Sequence, residues 1–309
     1  MRPWAVPAYA QIEVLHEGDG LSLVRYRCRG EDARVAPDEE VAGSHQFCFV
    51  QAGSFVRRSP RGQVAADANQ VLFFDRGGAY RVHHPQPGGD ACLVLSVPDD
   101  DRLAWMEAWG ARPERGPDGP TPWECGLSDG RAALAAHRLV ADLRRGLDAL
   151  ETHERALALL AGVRPLPVAT PPRGGSRRQG RETVEAVKLM LLRRLGDPLR
   201  LAEIAGHFGL SPFTLCRLFH RHAGLPVHRY RRRLRLRHAL ARLADGQRDL
   251  TDLALDLGFS DHSHFTNAFR EEFDAPPSAF RRVLVSRPRD SSPVSPPMHP
   301  GARRCSSVT

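Results

Sequence analysis

The sequence predicts a multi-domain chain: an N-terminal antiparallel β-barrel with helices following its last strand, then an all-α domain with two helix-turn-helix units. Three observations carry this reading. Short β-rich runs punctuated by turn residues fill the first hundred positions, a Pro-, Gly- and Arg-rich stretch interrupts the chain at 164–180, and one helical unit occurs twice after it. A length of 309 residues is enough for two cores.

The β-rich runs are "LSLVRYRCR" from Leu21, "HQFCFVQ" from His45, "SFVRRS" from Ser54, "VLFFD" from Val71, "AYRVHH" from Ala79 and "ACLVLSV" from Ala91. Breakers such as "AGS", "RGG" and "PQPGGD" separate them, which predicts a small antiparallel barrel or sandwich. Residues 129–161 carry Leu or Ala every three or four positions and break near Gly146, so two helices are expected there. These helices would pack on the barrel or pair with their counterparts in a second subunit.

The segment 164–180 is expected to be a linker between domains 1–163 and 181–285, and the tail 286–309 has the composition of disorder. No run of about 18 apolar residues occurs, and the N-terminus lacks the pattern of a signal peptide, so a cytoplasmic protein without a membrane partner is expected. The net charge of +8 is uneven. Residues 1–163 carry −5, whereas 181–285 carry 18 Lys and Arg against 12 Asp and Glu. Such asymmetry suggests that the C-terminal domain meets a polyanion. The six cysteines are scattered without a CxxC pair, which indicates neither a disulfide framework nor a zinc ribbon.

The repeat is the most informative feature. At an offset of 49, Leu201, Ile204, Ala205, Gly209 and Ser211 fall on Leu250, Leu253, Ala254, Gly258 and Ser260. After one inserted residue, Leu215, Phe219, Pro226 and Tyr230 fall on Phe265, Phe269, Pro276 and Phe280 at an offset of 50. Each unit reads as a short amphipathic helix, a Gly for a left-handed turn, a capping Ser and a second helix, which is a helix-turn-helix. Ala205 and Ala254 are small where the helices would cross. Leu215, Leu218 and Phe219, like Phe265, Ala268 and Phe269, form the inward stripe of the second helix.

The opposite face then shows Phe213, Cys216, Arg217 and His220 in the first unit, and His262, Ser263, Thr266, Asn267 and Arg270 in the second. These side chains suit base edges in a major groove: Arg for guanine, Asn for adenine, Ser or Thr for either, an apolar group for the thymine methyl. Between the units, "VHRYRRRLRLRHALARLADG" predicts a helix of roughly 17 residues, about 26 Å long, able to hold two recognition helices near the 34 Å repeat of the duplex. Arg231, Arg232, Arg233, Arg235 and Arg237 on that helix are expected to contact phosphates in part and to face solvent or bridge acids otherwise.

From Arg235 to Arg281, "RLRHALARLADGQRDLTDLALDLGFSDHSHFTNAFREEFDAPPSAFR" resembles the signature region of the AraC/XylS family of transcription regulators, and the likeness spans about 183–283. The resemblance implies a seven-helix DNA-binding domain with base contacts from the outward positions named above. Members often have Arg where this chain has Asn267 and a polar residue where it has Cys216. The N-terminal half resembles, more loosely, the cupin-type effector domain of such regulators, in "SHQFCFVQAGSF" and "VLFFDRGGAYRVHHPQPGGDACLVL". By that likeness the partners are promoter DNA, RNA polymerase, a small-molecule effector and a second copy of the chain in a homodimer.

The residues also admit other readings. His45, Cys48, His83, His84 and Cys92 are potential ligands of a metal-dependent cupin enzyme, but adjacent strand residues point to opposite faces, so His83 and His84 cannot share a site unless the strand bulges. Cys48 and Cys92 could form a thiol sensor, although Cys in strands is mostly core filler. Constitutive DNA binding with a barrel that serves only for dimerisation is a third alternative. His45, Phe47, Phe49, Phe73, Tyr80 and His83 could line a pocket, but alternation does not say which face is interior. The sequence therefore assigns no catalytic residue, metal, cofactor or ligand contact, and the protein is expected not to be an enzyme.

Overall fold

The computed structural model describes residues 10–30, 39–85, 87–111, 119–166, 175–247 and 249–284. The tail expected to be disordered lies outside them. Ten strands form first: β1 (Ala10–Gly18), β2 (Leu21–Cys28), β3 (Glu40–Val41), β4 (Gln46–Ser59), β5 (Gly62–Asp67), β6 (Gln70–Phe74), β7 (Ala79–His83), β8 (Asp90–Ser96), β9 (Cys125–Ser128) and β10 (Val163–Pro165). Helix α1 (Asp99–Ala108) precedes β9, and α2 (Gly130–Leu143) and α3 (Ala149–Ala161) precede β10. The rest is helical: α4 (Gly175–Arg193), α5 (Leu201–His207), α6 (Pro212–Ala223), α7 (Val227–Ala244), α8 (Leu250–Asp256), α9 (His262–Phe273) and α10 (Pro277–Leu284).

The antiparallel ladder runs β1-β2-β8-β4-β6-β9-β10, and among the described residues no pairing joins β1 to β10, so the expected barrel is not closed by hydrogen bonds. The long strand β4 organises it. Its first half pairs with β6 and β8, its second half with β5 and β7. The "AGS" at 52–54 does not break the chain as expected. The register shifts between Val50 and Ala52, and the neighbouring segment accepts the Ser54 amide through the Gly89 carbonyl at 3.3 Å, so the strand bends and continues.

The two helices expected at 129–161 form on either side of Gly146, each capped by an aspartate, Asp129 and Asp148. Their apolar stripes, Ala136, Leu139, Val140, Ala156, Leu159 and Leu160, pack on Leu23, Phe47, Phe73 and Leu95 of the sheet. Phe47, Phe49 and Phe73 thus belong to the core under the helices.

The expected linker is partly ordered structure. Val163–Pro165 pair with β9, the Leu166 amide bonds to the Cys125 carbonyl at 2.9 Å, and Gly175 already begins α4. Composition misled here because Pro165 can close an edge strand and Arg and Gly are tolerated in a helix's first turns.

A shared apolar cluster spans both halves: Val64, Ala66, Leu72 and Leu127 of the sheet pack with Val184, Val187, Leu215, Phe219 and Tyr230 of the helices. Polar contacts fix the same seam. The Tyr230 hydroxyl donates to Asp67 Oδ2 at 2.6 Å, Asn69 Nδ2 donates to the Tyr230 carbonyl at 3.1 Å, and Glu185 accepts from the Ala65 amide at 2.6 Å and Lys188 at 2.7 Å. These groups are buried, so each is held by a partner rather than by water.

Candidate nucleic-acid interface

The two helical units repeat in backbone as they do in sequence. Gly209 and Gly258 sit at φ +64° and +74°, the left-handed conformation expected at the turn. In both, the following amide reaches back to the crossing alanine: Leu210 N to the Ala205 carbonyl and Phe259 N to the Ala254 carbonyl, each 2.9 Å. Ala205 and Ala254 are fully buried, which leaves room only for a methyl where the helices cross.

The cap of the second unit differs from the expectation. Ser211 accepts from the Thr214 amide and caps α6, but α9 is capped by Asp261, which accepts from the His264 amide at 2.7 Å. Ser260 donates to Asp261 at 2.9 Å instead and lies 3.0 Å from His264 Nδ1. The inserted residue therefore falls before the cap, so that the offset of 50 already holds at Asp261. Its amide partners hold the Asp261 carboxyl below the usual range, and its negative charge suits the positive helix end.

Helical geometry then separates two faces on α6 and on α9. Leu215, Phe219, Phe265, Ala268 and Phe269 are buried, and Leu218 is half-buried. Phe213, at 76% exposure, stands outward with exposed Cys216, Arg217 and His220. On α9, His262, Ser263, Asn267 and Arg270 are exposed, while Thr266 is half-buried, its Oγ1 3.5 Å from His262 Nε2. All nine residues singled out in the sequence thus gather on two outer faces. Among the described residues neither Arg217 nor Arg270 has an acidic partner in an ion pair.

The arginines of α7 are mostly committed elsewhere. Arg231 and Arg235 donate to carbonyls at the end of α4, among them Leu195 O at 2.8 Å from Arg235 Nε. Arg232 pairs with Glu271, and Arg233 Nε donates to Glu272 at 2.9 Å. Arg237 is buried; it donates to the Ser128 carbonyl at 3.0 Å and pairs with Glu272 at 3.3 Å. Burial and Arg233 pull it down to about 10, with Glu272 opposing. The phosphate role expected for part of this cluster does not fit Arg231, Arg235 and Arg237, because carbonyls at the end of α4, at Gly258 and at Ser128 take their donors. The docking of α9 on the sheet-rich half also spares its outer face, since it uses the end of the helix, Glu272 and Asp274, against Gly130 and Arg131.

A separate cavity of about 100 Å³ lies in the sheet-rich half, lined by Tyr26, Phe55, Phe74 and Tyr80 with Cys48, Cys92, His84 and Asp90. His84 and His83 diverge as alternation requires: His84 is buried in the cavity wall, His83 half-buried beside Arg58. His45 is buried elsewhere, 3.6 Å from Asp75. Sequence reasoning missed Asp90, six residues past His84, and Cys28, which the β2–β8 register and no local motif brings beside them.

Residues 204–283 match the family described as "Helix-turn-helix domain". The HTH-type transcriptional activator RhaS of Pectobacterium carotovorum is 35% identical over 113 residues, 37% of this chain and 39% of that protein. The regulatory protein PocR of Salmonella typhimurium is 33% identical over 90 residues, 29% of this chain and 30% of that one. The chain thus spans less than half the length of these curated relatives, which are named a transcriptional activator and a regulatory protein. Among solved structures, a transcriptional regulator with an AraC-type DNA-binding domain from Chromobacterium violaceum is 25% identical, covers 35% of this chain and 96% of its own, and has a TM-score of 0.33. ToxT from Vibrio cholerae is 10% identical over 87% of this chain and 100% of its own, with a TM-score of 0.35. With its duplicated turn, caps and inward stripes, the segment 204–283 of this chain carries a helix-turn-helix domain.

Proposed function

We propose that the chain is a sequence-specific DNA-binding transcription regulator, a ligand-responsive activator that reads two successive major-groove segments with α6 and α9. The observation that carries this is the pair of outer faces, each rich in base-reading side chains and each with a guanidinium that has no acidic partner among the described residues. A solvated helix face explains one such surface; it does not explain two on units of the same backbone in a segment of net charge +6. In this reading 181–285 is the DNA-binding domain and 1–163 a cupin-like domain for effector binding and dimerisation. The protein acts in the cytoplasm as a homodimer, with RNA polymerase as a further partner. Among the described residues no helix is long and apolar enough to cross a membrane.

The test is nuclease protection and gel-shift on DNA flanking the protein's own coding region, with salt varied. A discrete protected stretch is expected, with affinity falling steeply as salt rises because phosphate contacts release counterions. Arg217→Ala costs about 1 to 3 kcal/mol if Arg217 reads a base pair through two hydrogen bonds, and relaxes preference at that pair alone. Absence of any protected stretch under all salt conditions and candidate inducers overturns the proposal.

A further inference from the structure

The cavity in the sheet-rich half holds three chemically distinct metal donors that no local sequence pattern brings together. Cys28 Sγ lies 3.9 Å from His84 Nδ1, and Asp90 Oδ1 lies 2.6 Å from His84 Nε2. One donor atom from each residue falls within 4.8 Å of the others, and all three residues are buried. Cys92 adds a thiol that donates to Asp90 Oδ2 at 3.1 Å.

The geometry is that of a site and not of a chance cluster. A tetrahedral zinc with sulfur at about 2.3 Å and nitrogen at about 2.0 Å separates those two donors by about 3.5 Å, close to the Cys28–His84 spacing. An ion that takes one ring nitrogen of His84 and one oxygen of Asp90 replaces the 2.6 Å contact between them. The backbone holds these groups firmly. Cys28 and Asp90 are register partners across β2 and β8, and Gly53 is the partner of Asp90 from β4. Gly89, at φ +63°, lets the chain approach so closely that a Cβ there would stand 1.9 Å from the Cys28 carbonyl oxygen.

The cavity is also of the right size and polarity. About 100 Å³ is well below the roughly 300–1,000 Å³ of a drug-sized ligand site but ample for an ion and a few waters. Val24, Phe55, Val82 and Val94 line the cavity beside these donors.

We propose that Cys28, His84 and Asp90 bind a divalent transition-metal ion of the zinc type, with Cys92 or solvent as the fourth donor. Binding forms the metal–sulfur bond as the Cys28 thiol gives its proton to solvent; nothing is oxidised or reduced. The site stands on the cavity alone and does not depend on whether the chain reads DNA.

The full-length protein, stripped with chelator, is titrated with Co²⁺ and followed by absorption. One equivalent is expected, with thiolate-to-metal charge transfer and the intense visible bands of a tetrahedral site, displaced by Zn²⁺. Cys28→Ser abolishes the charge transfer, and His84→Gln weakens binding at least about tenfold, while Cys216→Ser, which removes an exposed thiol, changes neither. Urea unfolding of each variant establishes that it is folded; should Cys28→Ser not fold, wild-type stoichiometry and His84→Gln decide. No saturable binding, binding untouched by His84→Gln, or charge transfer that disappears with Cys216→Ser overturns the proposal.

Discussion

Tyr230→Phe isolates the polar contact that joins the helical half to the sheet. The hydroxyl donates to Asp67 Oδ2 at 2.6 Å, Tyr230 is fully inaccessible and Asp67 2% exposed, so no water replaces the lost donor. The ring itself fits either residue, because Phe280 occupies the equivalent position of the second unit, where its ring stands edge-on to His137. The change therefore removes a hydrogen bond and leaves packing. Burial raises the Asp67 carboxyl above its ordinary range, with Lys188 and the Tyr230 hydroxyl opposing, so its partner matters to whichever form is present. A buried acceptor deprived of its donor costs about 1–3 kcal/mol, and we expect about 2 kcal/mol in the urea unfolding of the full chain. Asp67→Asn and the double variant complete a cycle, with a coupling of about 1–2 kcal/mol expected between them. A loss below about 0.5 kcal/mol, or additive single effects, refutes the view that this contact holds the two halves together.

Further outcomes follow from the same geometry. Asp261→Ala should destabilise by about 1 kcal/mol and Ser260→Ala by less than about half as much in urea unfolding, since the carboxylate and not the hydroxyl caps α9. Gly209→Ala should cost about 1–2 kcal/mol, because a Cβ there meets open space and only the left-handed backbone objects; Gly258→Ala should cost more, since its Cβ would stand 2.4 Å from the Gly196 carbonyl oxygen. Comparing their unfolding midpoints checks the order. Burial, with Arg25 and Arg237 adding, pulls His137 down to about 3. The unfolded chain then takes up the proton first, so this group's contribution is intact above about pH 6.5 and is lost as pH falls toward 3. Between pH 7 and pH 5, wild type should lose up to about 2 kcal/mol more than His137→Gln.

Much of this was legible because it is local. Two left-handed glycines, alanines at the crossings and apolar residues at helical spacing specify a helix-turn-helix without reference to anything distant, and the outer faces follow by geometry. The strands from Leu21, Val71, Ala79 and Ala91 were legible for the same reason. What escaped is non-local or competes with composition. Gly53 reads as a breaker, yet β4 runs through it because Gly89 and Asp90 supply its partners. The α7 arginines read as part phosphate contacts and part bridges to acids; the acids are there for Arg232, Arg233 and Arg237, but Arg231 and Arg235 give their donors to carbonyls at the end of α4. Cys28 lies far along the chain from His84 and Asp90, and only the pairing of β2 with β8 brings it beside them.

The central claim is that α6 and α9 each read bases. Selection of bound sequences from random duplexes, repeated with Arg217→Ala and Asn267→Ala, tests it most directly. Two preferred patches about 10 base pairs apart are expected, with each variant losing preference in a different one. A single patch, or equal weakening of every sequence by both variants, contradicts it.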